Sequence, residues 1–165
     1  LTWILTSNEH HFTAFERAES PHVKLGVVKE QGLTMVRNAL YPETMRALLA
    51  NRSKKAPFKL FELDQVVDIH KNSETGTVTH YKLCMISAHA NATFDEMKGN
   101  VESLAKFLGE KSTFSPAVVS GFIEGRTANV NIGPHHGFFG EMHPSVLSRL
   151  SIGLPAVVFE IYLTR

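Results

Sequence analysis

Two carboxylates stand in matching frames inside otherwise apolar stretches: Leu60-Phe61-Glu62-Leu63 and Val158-Phe159-Glu160-Ile161. An ionised carboxylate within a sheet requires a cation or several hydrogen bonds, because burying it unpaired costs several kcal/mol. Arg37 and Arg126 are the natural partners, since both occupy strand-like positions and a guanidinium pairs with a carboxylate through two parallel bonds. Such a set suits acid/base chemistry or recognition of a substrate amine. It equally suits structural ion pairing. No nucleophile and no base with an orienting partner accompany it, which points to pairing.

Histidine offers a second chemistry, with nine in the chain. His135, His136, Glu141 and His143 form the densest cluster, and imidazole with carboxylate is a workable zinc set and so a route to a metal-dependent hydrolase. Adjacent histidines on a turn point apart, however, and no His-x-x-x-His pair puts two ligands on one helical face. His143 reads better as a helix N-cap before Pro144, so no metal ligand is assigned. Cys84, between Leu83 and Met85, has the setting of a small buried hydrophobe. Neither a Gly-x-Ser-x-Gly elbow nor a phosphate-cradling glycine loop occurs. No catalytic residue is assigned.

The elements that position these residues follow from periodicity. Residues 1–5, 23–28, 58–69, 78–88 and 156–163 read as strands, with residues 71–76 a hairpin loop between the third and fourth. From Arg126 to Ile132, polar Thr127, Asn129 and Asn131 alternate with Ala128, Val130 and Ile132, as in a half-buried strand. Residues 133–137 read as a turn, and Phe138 to Glu141 returns from it.

Thr93 and Glu96 have the spacing of a capping box, and Phe94, Met97, Val101, Leu104, Ala105 and Leu108 share a helical face that Gly109 ends. Pro42 suits the first turn of a helix over residues 43–51, and Pro144 opens a short third helix. Hairpin connections dominate and no βαβ alternation appears. The fold class is α+β: an antiparallel sheet flanked by helices.

Composition narrows the setting. The chain has 165 residues, 43% apolar and 20% charged, with a net charge of +1. That length suits one domain, residues 1–165, and the near-neutral charge gives no argument for nucleic acid or a membrane. One cysteine excludes an internal disulfide and fits a reducing compartment. No apolar run approaches the roughly 20 residues that span a bilayer. The expectation is a soluble, cytoplasmic chain. Strands at both ends suggest a domain of a longer polypeptide.

A set of motifs carries a family resemblance: Thr34-Met35-Val36-Arg37-Asn38-Ala39-Leu40-Tyr41-Pro42, Asn51-Arg52, Leu60-Phe61-Glu62-Leu63-Asp64-Gln65-Val66-Val67, Phe122-Ile123-Glu124-Gly125-Arg126, Gly140-Glu141-Met142-His143-Pro144-Ser145-Val146-Leu147 and Phe159-Glu160-Ile161. In this order the chain resembles the C-terminal core domain of the phenylalanyl-tRNA synthetase β subunit, in its archaeal or eukaryotic form.

The resemblance implies a class II synthetase-like antiparallel fold that has lost its active site. It implies an α subunit that uses ATP and Mg to make phenylalanyl-adenylate and charge the tRNA. A second β subunit would complete an (αβ)2 heterotetramer, with tRNA met only through the whole assembly. It further implies no cofactor on this domain. A working class II site places an arginine after an aromatic in its adenylate-binding strand, where this chain reads Phe61-Glu62, and the last strand reads Phe159-Glu160. Two carboxylates there would repel ATP. Arg37, Glu62, Arg126, Glu141, His143 and Glu160 are the structural or interface candidates. The alternative is a small-ligand-binding regulatory module on the same fold.

Overall fold

The computed structural model describes residues 2–26 and 32–163. A small N-terminal layer comes first: β1 (Leu5–Thr6), α1 (Asn8–His11), a 3-10 turn (Thr13–Phe15) and β2 (Met35–Val36), with β1 and β2 paired antiparallel. Then follow α2 (Tyr41–Ala50), β3 (Phe58–Ile69), β4 (Thr77–Ala88), α3 (Phe94–Phe107), β5 (Ser112–Pro116), β6 (Phe122–Ile132), β7 (His135–Met142), α4 (Pro144–Arg149) and β8 (Ala156–Leu163). The last six strands form one antiparallel sheet in the order β3-β4-β8-β7-β6-β5. The fold class is therefore α+β, as the periodicities predict.

Each face of the sheet has its own core. The pleat puts Glu62, Cys84, Glu160 and Phe138 in one row facing α2, because they are register partners across β3, β4, β8 and β7. Val66, Cys84, Ile86, Val158 and Met142 pack there with Met45 and Leu48 of α2. On the opposite face Met97, Val101 and Ala105 of α3 meet Val130, Ile132, Phe139, Val157 and Phe159.

Differences from the sequence-based expectations have physical causes. The first strand is only Leu5–Thr6, because Thr2 is drawn to Glu62 rather than into a ladder. The predicted strand over residues 23–28 reduces to one bridge, Lys24 to Met35, and residues 27 and 28 lie outside the described residues. The turn predicted over residues 133–137 is tighter: Ile132 pairs directly with His135, so His135, His136 and Gly137 already belong to β7. Leu108 lies beyond the end of α3 and is exposed. Helix α1 and the edge strand β5 carry too little apolar periodicity to be seen in sequence.

At α3 half of the capping box forms. The Glu96 amide donates to the Thr93 hydroxyl, while the Glu96 carboxylate turns to Lys59 and His89. Among the described residues no helix is long and apolar enough to cross a membrane.

Gly121 is required both sterically and by its backbone angle. Gly121 has φ +83°, and an added Cβ would sit 2.1 Å from the Phe15 carbonyl oxygen, against the 3-10 turn. Gly121→Ala is therefore expected to destabilise by roughly 1–3 kcal/mol, read from denaturant melts. Gly153→Ala is the control, since nothing lies within 4 Å of its Cβ position, and should leave the midpoint unchanged.

Candidate functional site

The six candidate residues do not converge on one site. The structure distributes them over three helix–sheet junctions, and at each a side chain from the sheet layer meets the beginning of a helix.

Glu160 lies on β8 under α2 and is buried. One carboxylate oxygen accepts hydrogen bonds from the Leu40 and Tyr41 amides, both at 2.8 Å. Leu40 has no side-chain cap of its own. Glu160 thus supplies the cap of α2 from a remote strand and sets its negative charge against the positive end of the helix. The other oxygen is 2.8 Å from Lys82 Nζ, which also donates to the Asn38 carbonyl at 3.0 Å and sits 3.9 Å above the Tyr162 ring.

Burial pushes the Glu160 carboxyl up, but the Lys82 ammonium, its hydrogen bond and the two amides outweigh it and hold the group below the usual carboxylate range. For Lys82, burial acts downward and the attraction of Glu160 wins, raising the ammonium above its ordinary value. The pair is charged. Sequence reading offers Arg37 or Arg126 as the partner of Glu160, and the structure corrects this to Lys82. The lone lysine in the apolar stretch Tyr81-Lys82-Leu83-Cys84-Met85 is the signal that points to it.

Glu62 does pair with Arg37, at 3.4 Å and with both side chains buried. The guanidinium is shared: Nη2 lies 2.8 Å from Asp64, Nε donates to the Gln65 carbonyl, and Nη1 donates to the Thr2 hydroxyl. Glu62 accepts from the Thr2 amide at 2.8 Å and from the Thr44 hydroxyl of α2 at 3.0 Å. This cluster ties the N-terminal segment, β3 and α2 together.

Arg126 is exposed and pairs with Glu141, at 2.7 Å. Hairpin register makes them neighbours, since Thr127 faces Gly140 around the tight turn. The other Glu141 oxygen accepts from the Phe94 amide at 2.9 Å, where α3 starts. His143 caps α4 as its position before Pro144 predicts, its Nδ1 accepting from the Ser145 amide at 3.2 Å.

The metal cluster does not assemble. His136 stacks on Tyr162 at 5.0 Å, Glu141 lies at the far end of β7, and His143 is occupied as a cap. Among the described residues no group of three His, Cys, Asp or Glu side chains is placed to hold a metal ion. Burial, and next the charge of Glu160, raise the Cys84 thiol well above its ordinary value, so it is an unreactive packing group.

Besides Lys82, a second titratable group departs from its sequence reading, which takes His11 as a surface or strand-face residue. His11 is fully buried, with its Nε2 2.9 Å from Asn38 Oδ1. Burial first, and then the Arg17 charge, push its imidazole down to about 3. Two cavities flank these residues. One of about 660 Å³ is an apolar groove beside α4, rimmed by Arg126 and Glu141. The other, of about 360 Å³, adjoins Lys82 and Glu160.

Comparison with known proteins places the chain. The family profile of the phenylalanyl tRNA synthetase beta chain CLM domain matches residues 1–163. The phenylalanine–tRNA ligase beta subunit of Thermococcus sibiricus is 30% identical over 164 residues, covering 99% of this chain and 29% of that protein. Those of Methanosphaera stadtmanae and Pyrococcus furiosus are 31% and 32% identical, over 96% and 99% of this chain. The chain thus spans 29–30% of the length of these relatives.

Removing one member of a buried pair leaves the other uncompensated. Lys82→Met is expected to cost about 3–5 kcal/mol in urea denaturation, and the double variant Lys82→Met with Glu160→Gln should recover much of that loss. For His11 the folded-state value lies below the unfolded value near 6.5, so the folded chain binds fewer protons. The stability tied to the neutral ring is complete above about pH 6.5 and is lost as pH falls toward 3. Circular-dichroism melts should therefore show a steeper loss of stability between pH 6.5 and 4 for the parent than for His11→Gln.

Proposed function

The chain belongs to the phenylalanyl-tRNA synthetase β-chain CLM-domain family, and from that premise we propose that it is a non-catalytic core of a β subunit, kept for assembly. On this reading it is one domain of a longer chain with a class II synthetase-like sheet. An α subunit carries out the ATP- and magnesium-dependent charging of tRNA with phenylalanine in the cytoplasm. The β core holds that subunit in an (αβ)2 heterotetramer and meets tRNA only through the assembly.

The observation that carries the reading is the occupation of both strand carboxylates. Glu62 is taken up by Thr2, Thr44 and Arg37, and Glu160 by Lys82 and the first amides of α2. The residues do not fit a nucleotide or its magnesium ion. The helix amides that would meet a phosphate are already capped, and the nearby ammonium is already neutralised. No step of ATP chemistry runs through this domain.

A docking face for the partner follows from the two matching frames. Phe159 on β8 is covered by α3 and 0% exposed, whereas Phe61, at the equivalent place on β3, is 78% exposed. Helix α3 covers β5 to β8 and leaves the β3–β4 end bare. There Phe61, Leu63 and Tyr81 are exposed beside half-buried Leu83 and Met85, along a 12-residue edge strand. A long, apolar edge invites pairing unless something covers it, and permanent subunit contacts of about 2,000 Å² or more have this apolar character. The relatives are named beta subunits, and the α subunit that such a name implies is the occupant we assign.

Phe61→Asp combined with Leu63→Lys should abolish co-purification with the α subunit while leaving the melting temperature of the β chain unchanged, since neither side chain is buried. Intact assembly in that variant, measured by analytical ultracentrifugation, contradicts the assigned face.

A further inference from the structure

The cavity of about 360 Å³ beside Lys82 and Glu160 has a chemistry that the assembly role does not use. Its volume falls within the usual range for small-molecule sites, about 300–1,000 Å³. Its walls include Arg17, Tyr41, Val118, Val119, Phe138 and Tyr162.

Tyr41 is 2% exposed and packs edge-on against Phe15, Phe122 and Phe138, yet its hydroxyl has no hydrogen-bond partner among the described residues. A buried hydroxyl without a partner is uncommon, and in a cavity wall it is a donor awaiting an acceptor. Arg17 donates to Asn38 Oδ1 at 2.8 Å and lies 4.7 Å over the Phe12 ring, and no carboxylate among the described residues pairs with it. Lys82 and Glu160 cancel each other. The lining therefore carries one surplus positive charge, one unused donor and apolar walls.

These features select the ligand. An ammonium has no unpaired anion to meet, because Glu160 is fully engaged by Lys82, Leu40 and Tyr41. A phosphate has a single guanidinium and no free helix amides. We propose that this cavity binds a small organic monocarboxylate with an apolar body, its carboxylate set toward Arg17 and the Tyr41 hydroxyl and its body against Val118, Val119 and Phe138. The inference is independent of the docking face, which lies on the opposite surface of the sheet, since Tyr81 and Leu83 alternate with Lys82 along β4.

Octanoate is the probe, titrated by calorimetry and saturation-transfer NMR into the β chain assembled with its α subunit, with octylamine and octanol as controls. Saturable octanoate binding at about millimolar or tighter is expected, with both controls at least five-fold weaker. Tyr41→Phe removes an atom with no partner and should keep the melting temperature while weakening octanoate at least five-fold. Val118→Trp, at an 82% exposed position of the lining, should block the cavity without touching the core. Absent saturation, octylamine or octanol binding as well as octanoate, or either variant binding octanoate as the parent does overturns the proposal.

Discussion

Placing Glu160 beneath α2 strips a carboxylate of its water, and that loss would unfold the region without full compensation. Two amides at the helix start and one buried ammonium supply it. The same contacts fix where α2 begins, how it lies on the sheet, and which face of β4 turns inward. Because Lys82 and Cys84 alternate on that face with Glu62 across the register, one electrostatic requirement sets three strands and a helix. The remaining cluster at Arg37 extends this arrangement to the N-terminal segment.

The pattern repeats elsewhere in weaker form. Glu141 reaches from β7 to the first amide of α3, and His143, directly after β7, caps α4. Helices α2, α3 and α4 are thereby anchored at their positive ends by a side chain from the sheet or its edge, with the apolar faces aligned by that anchor. This economy explains a puzzle of composition, namely why carboxylates that look catalytic occupy apolar strands. Their partners include backbone amides, which no sequence motif displays.

That distinction governs what sequence could reveal. Strands β3, β4, β6 and β8 and helices α2, α3 and α4 were legible because alternation and helical periodicity are local, and so was the His143 cap. Arg126 and Glu141 were also within reach, since counting outward from Gly133-Pro134 places them opposite each other. The Lys82–Glu160 pair was not, because it depends on β8 returning to lie beside β4 across 78 residues. Likewise β2, α1 and β5 are short and held by tertiary contacts, so their sequences carry little periodicity. The exposure of Phe61 against the burial of Phe159 shows the same limit, since identical frames have opposite fates depending on where α3 lies.

On the proposed reading, a domain whose strand carboxylates are taken up by its own side chains and helix amides is closed to nucleotide and free to serve as a surface. The most direct measurement is equilibrium dialysis of ATP with magnesium against the assembled α–β enzyme. Our account predicts one nucleotide per α–β pair, unaffected by Glu160→Gln. A second equivalent that disappears with that substitution would contradict it.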